Sequence, residues 1–349
     1  MDMRVSAVHK IGIGSRSAFA TEVLATYWKL AAERQRIYHH RVRGHAAPWT
    51  TDPILSRFRF TNAYRAADRV SQDLIRVMYE GSQAADDIVL RTLLYRFFNK
   101  PSTWSALERA GGEVRWDNFD LDQYAGALDS LLACGDRIYS AAYIVPPPPF
   151  GASRKHRNHL LLVEHMMRSG LPARLATARS LREVFEILSG YPSLGPFLAY
   201  QLTIDLNYTT LIDFDEDDFV VAGPGARSGI AKCFPELGSI PAEDIIRWMV
   251  DTQGEQLAAL GLTFQDLFGR RLKLIDCQNL FCETDKYARV AHPDRVGIGN
   301  RTRIKQQFAS AGAMPRPFFP PKWAIRGPDD RSPVAAAACT QQSLEVAGT

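Results

Sequence analysis

Four consecutive prolines, Pro146–Pro149, interrupt a chain whose apolar residues otherwise recur at helical spacing. No α-helix runs through such a block. Each proline fixes φ, lacks a backbone donor and pushes the residue before it out of the helical region. The segment therefore marks the boundary or crossover between two lobes. Before it, a period of 3.6 residues predicts helices over 18–43, 61–79, 84–98 and 121–144, with a further start at Ser102-Thr103-Trp104. After it, the same period predicts helices over 157–169, 180–189, 195–206 and 241–260. Strand signals are few and short, for example at 210–212 and 219–221, and there is no internal repeat. The expectation is an all-α, mostly helical, two-lobed fold. Residues 1–20 form an N-terminal extension, 21–326 the helical domain with its crossover near 146–156, and 327–349 a disordered tail.

An apolar content of 46% with 23% charged residues excludes a globally disordered or collagen-like chain. No stretch approaches the roughly 20 apolar residues of a membrane helix, and Met1–Ala20 lacks the apolar core of a secretory signal. No membrane partner is expected. The cysteines at 134, 233, 277, 282 and 339 read as reduced thiols of a cytoplasmic protein. Cys277 and Cys282 lack the second ligand pair of a structural zinc, so no metal is expected. The sequence contains no GxxxxGK[ST], HExxH or GxSxG motif, and no cofactor is expected. A net charge of +4 permits nucleic-acid binding without demanding it.

Four stretches hold residue types that carry chemistry. In Ser189-Gly190-Tyr191-Pro192-Ser193-Leu194-Gly195-Pro196 a glycine-bearing hairpin joins two helices. Glycines let backbone N–H groups approach a phosphate, and a helix N-terminus favours an anion. An ordinary αα-turn is the alternative. Asp213–Asp218 packs five carboxylates into six positions. The apolar segment after them implies that at least one points inward, where it could stabilise developing positive charge and activate water. A solvated acidic loop is the alternative. In Asp276–Arg289 the polar residues Asp276, Asn279, Glu283, Lys286 and Arg289 recur near helical spacing, as a surface network or as part of a site. Asn62, Arg65, Arg69 and Gln72 lie close to one helical face, suited to a base edge or a phosphate, and Asn99-Lys100 puts an amide and an amine at a helix end. Arg34–His45 is a basic stretch that reads as a solvated helix face or a DNA contact.

Five blocks occur in one order: Pro48-Trp49-Thr50-x-Asp52-Pro53-Ile54-Leu55, Phe60-Thr61-Asn62-x-Tyr64-Arg65-x-x-Asp68-Arg69, Phe98-Asn99-Lys100-x-x-Thr103-Trp104, Gly223-Pro224-Gly225-Ala226-x-x-Gly229-Ile230, and Asp276-x-Gln278-Asn279-x-x-Cys282-Glu283-x-Asp285-Lys286-Tyr287. Together they resemble the α-glutamyl/putrescinyl thymine pyrophosphorylase family, whose domain is also attached, as a helical domain, to 5-hydroxymethyluracil DNA kinases. The resemblance covers residues 30–295 and implies kinship with helix–hairpin–helix DNA glycosylases. It also implies their two-lobed architecture and a role in phage DNA hypermodification or in conflict with it. Glycosylases that form a Schiff base carry a lysine two positions after the second hairpin glycine. Phe197 stands there, which disfavours an imine and favours water with one carboxylate.

On that resemblance the first expectation is a monofunctional DNA glycosylase in antiphage defence. It would flip a phage-type hypermodified pyrimidine out of double-stranded DNA and hydrolyse its glycosidic bond, leaving an abasic site. Asp218 and Asp217, with Asp215 behind them, would be catalytic. Asn62, Tyr64, Arg65, Asn99 and Lys100 would line the base pocket. Ser193, Gly195, Gly223, Gly225, Lys286 and Arg289 would hold DNA. The protein would act as a monomer. Two other readings stand beside it: a transferase that displaces pyrophosphate from an activated 5-hydroxymethyl pyrimidine with an amine or amino acid, and a non-catalytic DNA-binding module.

Overall fold

The structure, a computed structural model, describes residues 9–13, 16–299, 301–309, 312 and 314–325. The expected tail at 327–349, with Cys339, lies outside them, as do residues 1–8 of the expected extension. Among the described residues the fold is mostly helical, as the periodicity indicates. Helices α1 (Glu22–Val42), α2 (Pro53–Arg57), α3 (Arg69–Tyr79), α4 (Ala85–Phe98), α5 (Pro101–Gly111) and α6 (Leu121–Ala133) precede the proline block. Helices α7 (Lys155–Arg168), α8 (Leu171–Ala176), α9 (Leu181–Ser189), α10 (Pro196–Asn207), α11 (Pro224–Cys233), α12 (Ala242–Asp251), α13 (Gln253–Ala259) and α14 (Leu274–Ala291) follow it. No described helix is long and apolar enough to cross a membrane.

Local chemistry explains where the elements depart from the expected bounds. The first helix begins at Glu22, capped by the Thr21 hydroxyl, which accepts the Val23 N–H at 3.2 Å. Ahead of it, β1 (His9–Ile13) and β2 (Arg16–Ala20) pair antiparallel, so 18–20 is strand rather than helix. The helix expected from 61 starts only at Arg69. Asn62 Nδ2 donates to the Ala67 carbonyl and the Asp68 carboxylate accepts the Asn62 N–H, each at 2.8 Å, so these side chains offer the backbone a local alternative to helix. The helix expected over 121–144 stops at Ala133, where Gly135 takes φ 82°. The one expected over 241–260 is split at Thr252 into α12 and α13. Segments 210–212 and 219–221 are not strands, and α2, α8 and α11 were not signalled by the period; Pro53 stands at the first position of α2, where its missing N–H costs nothing.

One large core joins most helices. Helix α10 from Ala199 to Asn207 and helix α4 from Asp87 to Phe98 are buried at every position. Gly225 and Gly229 give α11 a smooth face one turn long against α14. A Cβ on Gly225 would stand 2.9 Å from Cys282 Sγ, and one on Gly229 would collide with the Phe281 backbone. Helix α1 and its cap are tied to segments more than 200 residues further on. Thr21 Oγ1 donates to the Lys232 carbonyl at 2.7 Å, the Tyr27 hydroxyl to the Cys277 carbonyl at 3.2 Å, and Arg295 pairs with Glu22 at 3.0 Å.

Candidate functional site

A helix buried on every side has no need of polar residues, so the ones it carries are informative. On α10 they include Gln201 and Asp205. With Phe197 these fall at i, i+4 and i+8, one face of the helix. Asp205 is fully buried and receives two guanidinium groups. Arg96, from the equally buried α4, approaches with Nε at 2.6 Å and Nη2 at 2.7 Å. Arg65, from the loop before α3, places Nη2 at 2.8 Å. Arg65 Nε also donates to Gln201 Oε1 at 3.0 Å.

Two buried cations thus share one carboxylate at this point. Their donors are not used up. Arg65 Nη1 and Gln201 Nε2 are buried without a hydrogen-bond partner among the described residues, as is the acceptor Gln278 Oε1. A buried unpaired polar group costs about 1–3 kcal/mol, so each calls for a reason.

Aromatic rings stand beside the arginines. Tyr143 lies parallel to Phe197, 5° between planes and 6.0 Å between centroids, and the Arg96 guanidinium sits 4.8 Å over the Tyr143 ring. Gly223 makes room for the Phe197 ring of α10 here: a Cβ on it would stand 2.7 Å from Phe197 Cδ2, while Gln278 Nε2 of α14 lies at ordinary contact, 3.4 Å. The rim is a hydrogen-bonded frame. Arg34 donates to the Thr61 carbonyl and to Asn62 Oδ1, each at 2.8 Å, and Glu283 accepts the Thr61 N–H at 2.9 Å.

Asp68 is half-buried on this rim, enclosed by protein on most sides. Burial pushes its carboxyl up to about 7, against the pull of the Asn62 N–H it accepts. It is therefore both acid and base near neutrality. Asp276, the third residue of α14, is likewise raised to about 7 by burial while it accepts the Arg65 and Lys273 N–H groups. The sign of the consequence follows. An unfolded aspartate releases its proton near pH 4, whereas these two keep theirs to about 7. Between those values the folded state binds more protons, so stability falls as pH rises. Asp68→Asn is expected to flatten part of that fall, read as the urea midpoint at about pH 5 and about pH 7.5. An unchanged slope would mean that Asp68 ionises normally.

The structure gathers Arg65 and Asn99 into this network: Asn99, in a left-handed cap after α4, accepts Arg96 Nη1 at 2.8 Å. Lys100 bonds the Arg137 carbonyl. Asn62 spends its amide on Arg34 and the Ala67 carbonyl, and the Tyr64 hydroxyl turns to the Arg270 carbonyl at 2.6 Å. The acidic run is a clasp. Lys273 holds Asp215 and Asp217, Arg271 holds Asp217, and Asp218 is exposed. The inward carboxylate is Glu216, paired with Arg270 and raised by burial. Ser193 takes φ 65° in the turn before the exposed Gly195, which starts α10 two residues from Phe197. Lys286 pairs with Glu283 and Arg289 with Asp285. An open groove of about 700 Å³ follows another face of α1, but Glu33 and Arg36 there are paired with each other, and Asp52 with Tyr287.

A family model described as the helical domain of 5-hmdU DNA kinase matches residues 21–297, a span that contains the whole Arg65–Arg96–Asp205 network. The chain belongs to this family. A 5-hmdU DNA kinase of Bacillus phage SP10 is 29% identical over 285 residues, 75% of this chain and 44% of the relative. The chain spans less than half the length of that curated relative. No solved structure matches. The expectation of a hydrolytic glycosylase is thereby overturned. The family and the relative are described as a kinase, a transferase, and the hydrolytic roles expected of Asp215, Asp217 and Asp218 fall with that reading. The structure offers a physical reason as well: Asp215 and Asp217 are held by lysine and arginine partners.

Proposed function

We propose that this member of the 5-hmdU DNA kinase helical-domain family serves group transfer on DNA. It holds a pyrimidine whose 5-methylene carries an oxygen-linked, anionic group. The observation that carries this reading is the pair of unused donors, Arg65 Nη1 and Gln201 Nε2, beside two guanidinium groups that share one carboxylate. A phosphoryl or pyrophosphoryl group supplies the acceptors and the charge that such a place lacks. The relative's name supports it, since a kinase acting on 5-hmdU puts phosphate at that position. Of the two other readings drawn from the sequence, this favours the transferase. An incoming amine would displace pyrophosphate: its C–N bond forms as the methylene C–O bond breaks, and Asp68 takes the amine proton.

A base in a duplex must leave the stack to reach a cleft. The α9–turn–α10 hairpin supports a reading as a helix–hairpin–helix grip on the neighbouring phosphate. Its exposed Gly195 lies within two residues of Phe197, and Ser193 in the same turn opens the backbone with positive φ. We assign the DNA contacts there first. Lys286 and Arg289 come second, being already engaged in ion pairs, while Gly223 and Gly225 act through packing.

Arg65→Gln tests the reading. Asp205 keeps both bonds to Arg96, so the fold should hold. Binding to a duplex containing one 5-phosphooxymethyluracil is expected to weaken about 10–100-fold, the worth of one charged hydrogen bond. Binding to the same duplex with thymine should stay as it was. Equal losses on both duplexes, or none on either, would refute the assignment.

A further inference from the structure

The loop between α6 and the proline block places one ring where no loop residue needs to be. Ala141, Ala142 and Ile144 are exposed, Ile144 at 65%. Tyr143 between them turns inward, and the backbone adopts φ 55° to do so. A bulky side chain rarely takes that left-handed conformation unless its surroundings impose it. The ring then lies face to face with Phe197 and beneath the Arg96 guanidinium. That is the setting a flat heterocycle seeks, an aromatic face on one side and a cation on the other.

We propose that Tyr143 is a plug, a six-membered ring that occupies the stacking place of the flipped pyrimidine and leaves it when modified DNA binds. This rests on the proposed function above. The hydroxyl of the ring lies in the field of Arg65, Arg96 and Asp68, the groups assigned to the anionic substituent and to proton transfer. The arm that carries it is short and held at both ends. Upstream, the Ser140 N–H donates to the Phe98 carbonyl and Asn99 Nδ2 to Ser140 Oγ, each at 3.0 Å, and Thr103 Oγ1 reaches the Ile138 carbonyl at 2.9 Å. Downstream, Val145 is buried and Pro146 begins the rigid block. Ala142 is turned back onto the same serine, its N–H donating to Ser140 Oγ at 3.1 Å and its carbonyl accepting from Ser140 Oγ at 2.9 Å. The length left to move is Tyr143–Ile144, enough to swing one side chain out without moving a helix. Asn99 and Lys100, expected in the base pocket, are positioning residues in this scheme, since they hold the arm at Ser140 and Arg137.

A plug reduces apparent affinity by the fraction of time the slot is filled. The test measures binding of a duplex with one 5-phosphooxymethyluracil, and separately of inorganic pyrophosphate, to the wild type, Tyr143→Ala, Tyr143→Phe and Phe197→Ala. Tyr143→Ala should bind the modified duplex about tenfold more tightly. Tyr143→Phe, which keeps the ring, should give no such gain, and Phe197→Ala should bind more weakly. Nitration of Tyr143 by tetranitromethane, read by peptide mass spectrometry, should be slow in the free protein and rise when modified duplex is added. Weaker binding by Tyr143→Ala, in parallel with Phe197→Ala, would make Tyr143 a wall of the slot and overturn the proposal. So would protection of Tyr143 that persists in the complex. If neither the wild type nor Tyr143→Ala binds pyrophosphate or modified duplex, the proposed function fails and the plug with it. Binding of both without a gain in Tyr143→Ala removes the plug alone.

Discussion

Replacing Asp205 by alanine is expected to destabilise the protein by about 3–5 kcal/mol, the loss found when one member of a buried ion pair is removed. Asp205 is fully buried and is the carboxylate partner of both Arg65 and Arg96. Without it, two guanidinium groups remain in the core with unbalanced charge. Neither can shed its proton, because arginine stays charged at any pH the fold survives. Asn99 and Gln201 supply carbonyl oxygens to the pair but no charge. Asp205→Asn keeps the shape and loses the charge, so it should fall most of the way to the alanine variant. Urea unfolding followed by tryptophan fluorescence reads the effect. A midpoint within about 1 kcal/mol of the wild type would show that the arginines find other anions or reach water. The contrast with Arg65→Gln is the sharper part: removing a cation leaves the Asp205–Arg96 pair whole, whereas removing the anion leaves nothing whole.

Gly229→Ala is the second large effect. Alanine is the better helix former by about 1 kcal/mol, so a surface view predicts a gain. The packing predicts the opposite. The new methyl would overlap the carbonyl oxygen of Phe281 and stand 2.8 Å from its carbonyl carbon. Both atoms belong to the backbone of α14, which a rotamer change does not move. The two helices must part, and overpacking of this kind costs about 1–3 kcal/mol or more. The parting also moves Gln278 and Cys282, which face Gly223 and Gly225 at the start of α11, so weaker binding of modified duplex should accompany the lower midpoint. A more stable Gly229→Ala would mean that the helices tolerate a wider spacing.

How much of this was legible beforehand depended on which physical rule each element obeys. Amphipathic helices such as α3, α9 and α12 announce themselves by period, and α7 was placed within two residues at each end. Ends set by side chains that bond their own loop were not legible, and Asn62 with Asp68 turned eight expected helical residues into a hydrogen-bonded loop that carries Arg65. Gly223 and Gly225 were expected to hold DNA on the strength of the family resemblance. Only the path of α14 shows that Gly225 and Gly229 are there for its backbone and Cys282. Arg65 was singled out for its place in a motif. Gln201, Asp205 and Arg96 were missed, although a sign existed: polar residues inside stretches otherwise apolar enough to be buried all round. The acidic run misled because five carboxylates in six positions suggest chemistry, while the lysine and arginines that pair with Asp215, Glu216 and Asp217 lie over 50 residues away in sequence.

The bonds that join Thr21, Glu22 and Tyr27 to Lys232, Arg295 and Cys277 have a bearing on how the molecule comes into being. Helical proteins usually fold fast because their contacts are local. Here the first long helix finds its partner only after more than 200 residues have followed it, and closing so large a loop precedes any reward from the contact. On a ribosome, α1 waits for more than 200 further residues with an apolar face uncovered. The buried network, which draws Arg96 from α4, Asp205 from α10 and Asp276 from α14, is complete only at the end of that wait.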